Sequence, residues 1–168
     1  MRRREFITFF GGAAVGWPLA ASAQQSERVR RIGVILPAAA NDAEQQAWVG
    51  AFLQALALLG WTIDRNVRID IRWATVNAAE IRRHAAELVA LAPDVIVASG
   101  SLTVGTVLQA TRTIPVVFPI TVDPVGGGFV DSLARPGGNA TGFLTFEYSL
   151  SGKWLELLKQ IAPSVTRV

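Results

Sequence analysis

The strongest constraint on the fold is an alternation, along residues 29–162, of short continuous apolar runs with amphipathic stretches. Ile32-Gly33-Val34-Ile35-Leu36 is the first run, closed by Pro37. Side chains of a strand point alternately to two faces, so a run that is apolar throughout suits a parallel strand covered on both. Trp48, Phe52, Leu56 and Leu59 then recur at i, i+4, i+8 and i+11, one stripe of a helix. Asn41 or Asp42 can cap that helix, and Gly60 ends it.

The unit repeats. In residues 67–73, Val67, Ile69, Ile71 and Trp73 point one way and Arg68, Asp70 and Arg72 the other, which predicts a strand near a sheet edge. Asn77 caps a helix that runs to about Leu91 and stops before Pro93. Val95-Ile96-Val97-Ala98 is another buried strand, and a helix is expected over 103–111. A fourth strand is expected over 115–122, a helix from Asp123-Pro124 to about Arg135, and a short fifth strand over 141–144. The last helix, over 151–162, carries Trp154, Leu157, Leu158 and Ile161 on one face. Residues 165–168 read as the approach to a further strand. Strand–helix units joined by right-handed crossovers predict an α/β fold, a three-layer parallel sheet with helices on both faces. A composition of 51% hydrophobic and 17% charged residues supports a packed core.

Residues 1–23 read as a signal peptide. Arg2, Arg3 and Arg4 form its positive end, residues 7–19 a modest apolar run, and Ala21-Ser22-Ala23 the small residues before cleavage. The run is shorter than the about 20 apolar residues of a membrane span, and Pro18 interrupts it. Arg3-Arg4-Glu5-Phe6-Ile7 resembles the twin-arginine export motif, with Arg2 in place of the usual Ser or Thr. This predicts the twin-arginine export machinery as a partner, a periplasmic destination, and no stable membrane span after cleavage. Without the leader, 13 basic and 12 acidic residues remain, scattered apart from Arg28, Arg30 and Arg31. That near-neutral balance argues against nucleic acid as a partner.

Several chemistries lack their residues. There is no cysteine, so disulfides and thiolate metal sites are excluded. One histidine, His84, leaves no multi-histidine zinc site; on its helix Glu80 and Glu87 stand at pairing distance. Gly152-Lys153 is followed by Trp154 and is no phosphate loop, and Gly126-Gly127-Gly128 lacks the spacing of a dinucleotide fingerprint. Asn139-Ala140-Thr141 is a formal glycosylation sequon that reads as a turn. Gly-x-Ser-x-Gly is absent. No catalytic residue, metal or cofactor is expected.

What remains is the rim at the strand C-termini, where open α/β sheets bind ligands. The turn after the first strand offers Pro37 and Ala38. The turn after the third offers Ser99, Gly100, Ser101 and Thr103 at a helix start, suited to an anion, or with Ser101 simply capping the helix. The turn after the fourth offers Thr121 and Asp123, the latter a helix cap or a partner for a ligand ammonium. Phe146, Glu147 and Tyr148 follow the fifth strand and could stack on a ligand or pack beneath a hinge.

Two stretches carry a family resemblance. Thr121-Val122-Asp123-Pro124-Val125-Gly126, followed by Ser132-Leu133-Ala134-Arg135-Pro136-Gly137-Gly138-Asn139-Ala140-Thr141-Gly142, resembles the ABC transporter substrate-binding proteins related to tryptophan/tyrosine uptake systems. Phe146-Glu147-Tyr148-Ser149, Lys153 to Lys159, and Arg31-Ile32-Gly33-Val34-Ile35 fit it too. The resemblance implies a type I periplasmic-binding fold, two α/β lobes clamping a small, amino-acid-like molecule without chemistry and handing it to ABC permease subunits. It implies domains at 24–146, the ligand-binding lobe, and 147–168, a crossover helix toward a second lobe that these residues lack. It carries the ligand-facing role onto the rim turns named above, with Gly100 and Gly105 giving close approach. Two other readings stand beside it: an exported α/β hydrolase using His84 with Ser99 or Ser101, and a ligand-sensing module for a membrane receptor.

Overall fold

A computed structural model gives the architecture and describes residues 28–145 and 150–164. The leader and Phe146, Glu147 and Tyr148 lie outside the described residues. Five strands, β1 (Arg30–Leu36), β2 (Val67–Trp73), β3 (Val95–Ala98), β4 (Val116–Phe118) and β5 (Ala140–Gly142), form one sheet in the order β2-β1-β3-β4-β5. All four pairings are parallel, and β2 is an edge, as its charged alternation predicts. Four helices connect or follow them: α1 (Ala43–Leu58), α2 (Ala78–Ala90), α3 (Ser101–Ala110) and α4 (Leu150–Ile161). The α/β architecture expected from the alternation is the one observed.

The helix ends follow local chemistry. Asp42 caps α1 by accepting from Gln45 N at 3.0 Å, and Gly60, at φ +87°, lets the chain turn away. Asn77 caps α2 by accepting from Ala79 N and Glu80 N. The strands β4 and β5 are shorter than expected, and Pro119, which has no N–H to give a ladder, follows β4 directly. The helix expected from residue 124 to 135 is not formed; the segment is a series of turns. Its three consecutive glycines explain this: each costs about 1 kcal/mol in a helix, and Gly128 sits at φ +69°. Arg135-Pro136-Gly137-Gly138-Asn139 builds the launch of β5. Gly137, at φ +76°, leaves room for the Asp131 carboxylate, and Asn139 donates from Nδ2 to Ile114 O at 2.7 Å, while its carbonyl accepts from Val116 N at 2.7 Å.

The main core cluster lies on one face of the sheet, while Val34 and Leu36 are buried on the other. Ile35, Ile96, Val116 and Phe118 face α2 and α3, where they meet Ile81, Leu88, Val104 and Val107, all 2% exposed or less. Gly33 has no side chain, so Leu88 packs directly on β1; a Cβ there would lie 3.3 Å from Leu88 Cδ2. The opposite face carries α1 alone among the described residues, and no residue of α1 is buried. Trp48 of its expected stripe is 46% exposed.

At the strand N-termini, Asp94 staples β3 to β1. Its Oδ2 accepts from Arg31 N at 2.8 Å, its Oδ1 from Arg30 Nη1 at 2.9 Å, and Arg28 lies 3.5 Å away. The basic cluster read from the sequence is thus an ion-paired edge. The backbone donor of Arg31 first, then Arg30 and Arg28, hold the Asp94 carboxyl below its ordinary value. A carboxyl depressed in the folded state contributes stability that is complete above its unfolded value, about pH 3.9, and fades as pH falls through the folded one. Asp94→Asn is therefore expected to lower the melting temperature by about 3 °C at pH 7. The gap to the parent should narrow as thermal melts are run to progressively lower pH below about 3.9.

Candidate functional site: the C-terminal rim of the sheet

Strand order reverses between β1 and β3, so the chain leaves these neighbours in opposite directions and opens a crevice beyond their C-terminal ends. Pro37 and Ala38 line the β1 side. Ser99, 4% exposed, and Gly100 line the β3 side. Gly100 adopts φ +83°, a conformation that glycine takes without strain, and a Cβ built there would sit 3.5 Å from Pro37 Cγ. The two turns therefore touch.

The β4 turn is bonded to both sides. Gly100 N donates to Ile120 O at 3.0 Å, and Thr145 N, after β5, donates to Thr121 O at 2.8 Å. The Ser101 hydroxyl accepts from Val122 N at 3.2 Å. Its own proton goes to Thr121 Oγ1 at 3.0 Å or Val122 O at 3.3 Å. Thr121, 2% exposed, is thereby held at the junction of three turns. These ties were not legible in the sequence, because they pair residues twenty or more positions apart.

That geometry shows how Ser101 and Asp123 stand as caps. Ser101 does not cap its helix: the N-cap is Gly100, with no side-chain hydrogen bond. The first amides of the ten-residue α3 therefore start the helix without a side-chain acceptor, and they sit at the crevice. Such an end carries partial positive charge and favours an anion. Asp123, at φ +43°, turns its Oδ1 back to Gly126 N at 2.9 Å, capping a turn in place of the expected helix. Thr103 is fully enclosed, its Oγ1 without a hydrogen-bond partner in the structure, so it stands behind the rim. Gly105, expected to give close approach to a ligand, gives it to the Phe129 ring, 3.2 Å from where a Cβ would lie.

His84 belongs to another cluster. Its Nδ1 lies 3.3 Å from Glu87 Oε2 and its Nε2 3.9 Å from Glu80 Oε1 and 3.2 Å from Arg83 Nη2. Glu87 also takes Arg72 Nε at 3.0 Å, which ties edge strand β2 to α2. The hydrogen bond from Arg72 chiefly draws the Glu87 carboxyl down, and the Thr75 hydroxyl does the same for Glu80. Both imidazole nitrogens thus face charged groups of α2 itself.

Sequence reasoning also missed an apolar groove of about 420 Å³ between α1 and the sheet. Trp48, Ala51 and Phe52 form its helix wall; Leu36, Val97 and Pro119 are among the residues on the sheet side.

Comparison with known proteins bears on the family and the fold. A family model described as ABC transporter substrate binding protein matches residues 31–168. A Clostridioides difficile protein named tyrosine-binding protein is 32% identical over 117 residues, 70% of this chain and 33% of its own length. A conserved domain protein from Vibrio cholerae has a crystal structure that matches with a TM-score of 0.67 at 30% identity, over 82% of this chain and 45% of that one. The ABC domain from Streptococcus pneumoniae, crystallised in complex with L-Trp, matches with a TM-score of 0.66 at 26% identity, again over 82% and 45%. The chain spans from a third to under half of the length of these relatives.

If Ser101 and Thr121 act as one tie, their losses are not additive. Ser101→Ala and Thr121→Val are each expected to cost about 1 kcal/mol, and the pair together scarcely more. A double-mutant cycle by urea unfolding measures this coupling.

Proposed function

The chain belongs to the ABC transporter substrate-binding proteins, and from that premise we propose that it is the first lobe of an exported solute receptor. The rim holds one side of a small amino-acid-like molecule; a second lobe supplies the other side and closes over it. Binding involves no bond making. The observation that carries this reading is the uncapped start of α3 at the crevice, tied by Ser101 and Thr121 to the turn after β4. A fixed array of amides suits a ligand carboxylate, and it needs no general base.

In the proposed arrangement residues 24–146 form the ligand-binding lobe and 147–168 the crossover toward the partner lobe. The ligand meets Pro37 and Ala38, Ser99 to Ser101, and the Thr121–Asp123 turn, with Thr103 buttressing from behind. Phe146, Glu147 and Tyr148 complete the rim after β5. The leader directs the chain through the twin-arginine machinery to the periplasm, where the closed form is read by ABC permease subunits. The absence of any helix long and apolar enough to cross a membrane among the described residues is compatible with this. Closure is a hinge motion driven by ligand contacts to both lobes.

Binding by one lobe alone forgoes about half of the contacts and most of the desolvation. Isothermal titration of the 168-residue chain with tryptophan or tyrosine is expected to give little heat. The same chain joined to a second lobe from a family member should bind clearly. Tight binding by the single lobe would overturn the two-lobe reading.

A further inference from the structure

Segment 123–130 carries one side of the rim but belongs to no helix or strand. Its backbone needs firm surroundings, because Asp123 sits at φ +43°, in the left-handed region that a residue with a side chain rarely adopts. Two attachments fasten the segment to α3. At the first residue of the helix, the Ser101 hydroxyl accepts from Val122 N at 3.2 Å. At Gly105 the Phe129 ring lies against the helix: a Cβ built there would be 3.2 Å from Phe129 Cε1. Residues four apart share a helix face, so both attachments act on the same side of α3. The ring also touches its own segment, since a Cβ on Gly127 would lie 3.1 Å from Phe129 Cε2 and Cζ. Gly127 N donates to Asp123 O at 2.9 Å and Phe129 N to Pro124 O at 2.8 Å, which closes the turn behind Asp123. Gly105 and Gly127 thus make room for one aromatic ring, and Gly126 makes room for the Asp123 carboxylate.

We propose that Phe129 is a positioning residue for solute binding: its ring, seated between Gly105 and Gly127, fixes where Asp123 stands relative to the start of α3. The inference rests on the solute-binding reading, in which an amino-acid-like zwitterion sets its carboxylate at the α3 amides and its ammonium beside Asp123. The two charges of such a ligand keep one separation, so the groups that receive them must keep one as well. Ser101 alone would act as a pivot for the segment. A second attachment one helical turn along α3 removes that rotation, and the ring supplies it through contacts already made. Phe129 itself need not touch the solute. The gain is pre-organisation: the ligand is not charged with ordering the turn when it binds.

Hydrogen exchange on the 168-residue chain tests the fastening with no solute present. Phe129→Ala is expected to speed exchange of the Val122, Gly126 and Gly127 amides about tenfold relative to those of Ile96 and Val116, which lie in the buried sheet and report opening of the whole fold. Phe129→Leu refills the space between the two glycines and should restore most of the protection. Equal acceleration at all five amides would make Phe129 a core side chain only and overturns the proposal; so does a turn whose exchange does not change. The binding arm uses the chain joined to a second lobe, titrated with tryptophan and with tyrosine. There Phe129→Ala should raise the dissociation constant about tenfold, and Phe129→Leu should recover most of the loss. A loosened turn with unaltered affinity contradicts the positioning role. If the two-lobed parent binds neither amino acid, the solute-binding reading fails and takes this role with it, while the exchange arm still decides whether the ring fastens the turn.

Discussion

Parallel pairing of β3 against β1 is the constraint on which the rest of the molecule depends. Ile32 to Ile35 sit opposite Val95 to Ala98, and β2 lies on the far side of β1. A strand placed there must be apolar on both faces, which is why residues 32–36 contain no polar side chain. The same pairing sends the next segments to opposite sides and opens the crevice. Asp94 fixes the junction at one end through Arg31 N, and Gly100 and Pro37 meet at the other. The rim is thus a consequence of how the centre of the sheet is held.

Hydrogen bonds across the rim convert three turns into one platform. Ser101, Thr121 and the amides of Gly100, Val122 and Thr145 bond turn to turn, so the ends of β3, β4 and β5 cannot move independently. What they leave without a side-chain partner is the start of α3. Donors fixed in this way would let a solute bind without spending free energy on ordering them, as the proposed receptor role requires. His84, bonded among Glu80, Arg83 and Glu87, contributes to the edge of the sheet.

Much of the fold was legible because its determinants are local. Apolar runs marked β1 and β3, charged alternation marked β2 as an edge, and Asp42 and Asn77 marked helix starts. The segment from 124 to 135 was misread as a helix because Asp123-Pro124 is a good helix opening; the glycines at 126 to 128 outweigh it, and Asp123 caps a turn. The site was legible as a set of turns but not as a network. Strand order decides which turns face one another, and spacing alone does not encode it. Ser101 was weighed as a cap, whereas its partners are the Thr121–Val122 backbone and side chain. The uneven packing of the two faces was also hidden, since the stripe of Trp48, Phe52, Leu56 and Leu59 reads the same whether or not a neighbour covers it.

The claim that the sheet's C-terminal rim is where a solute is held can be tested by hydrogen exchange. The measurement uses the chain joined to a second lobe, with and without tryptophan at saturation. The account predicts that added protection gathers at the amides of residues 38, 99–103 and 121–123. Protection gathered instead at the opposite pole, around Arg31 and Asp94, or confined to α1, would contradict it.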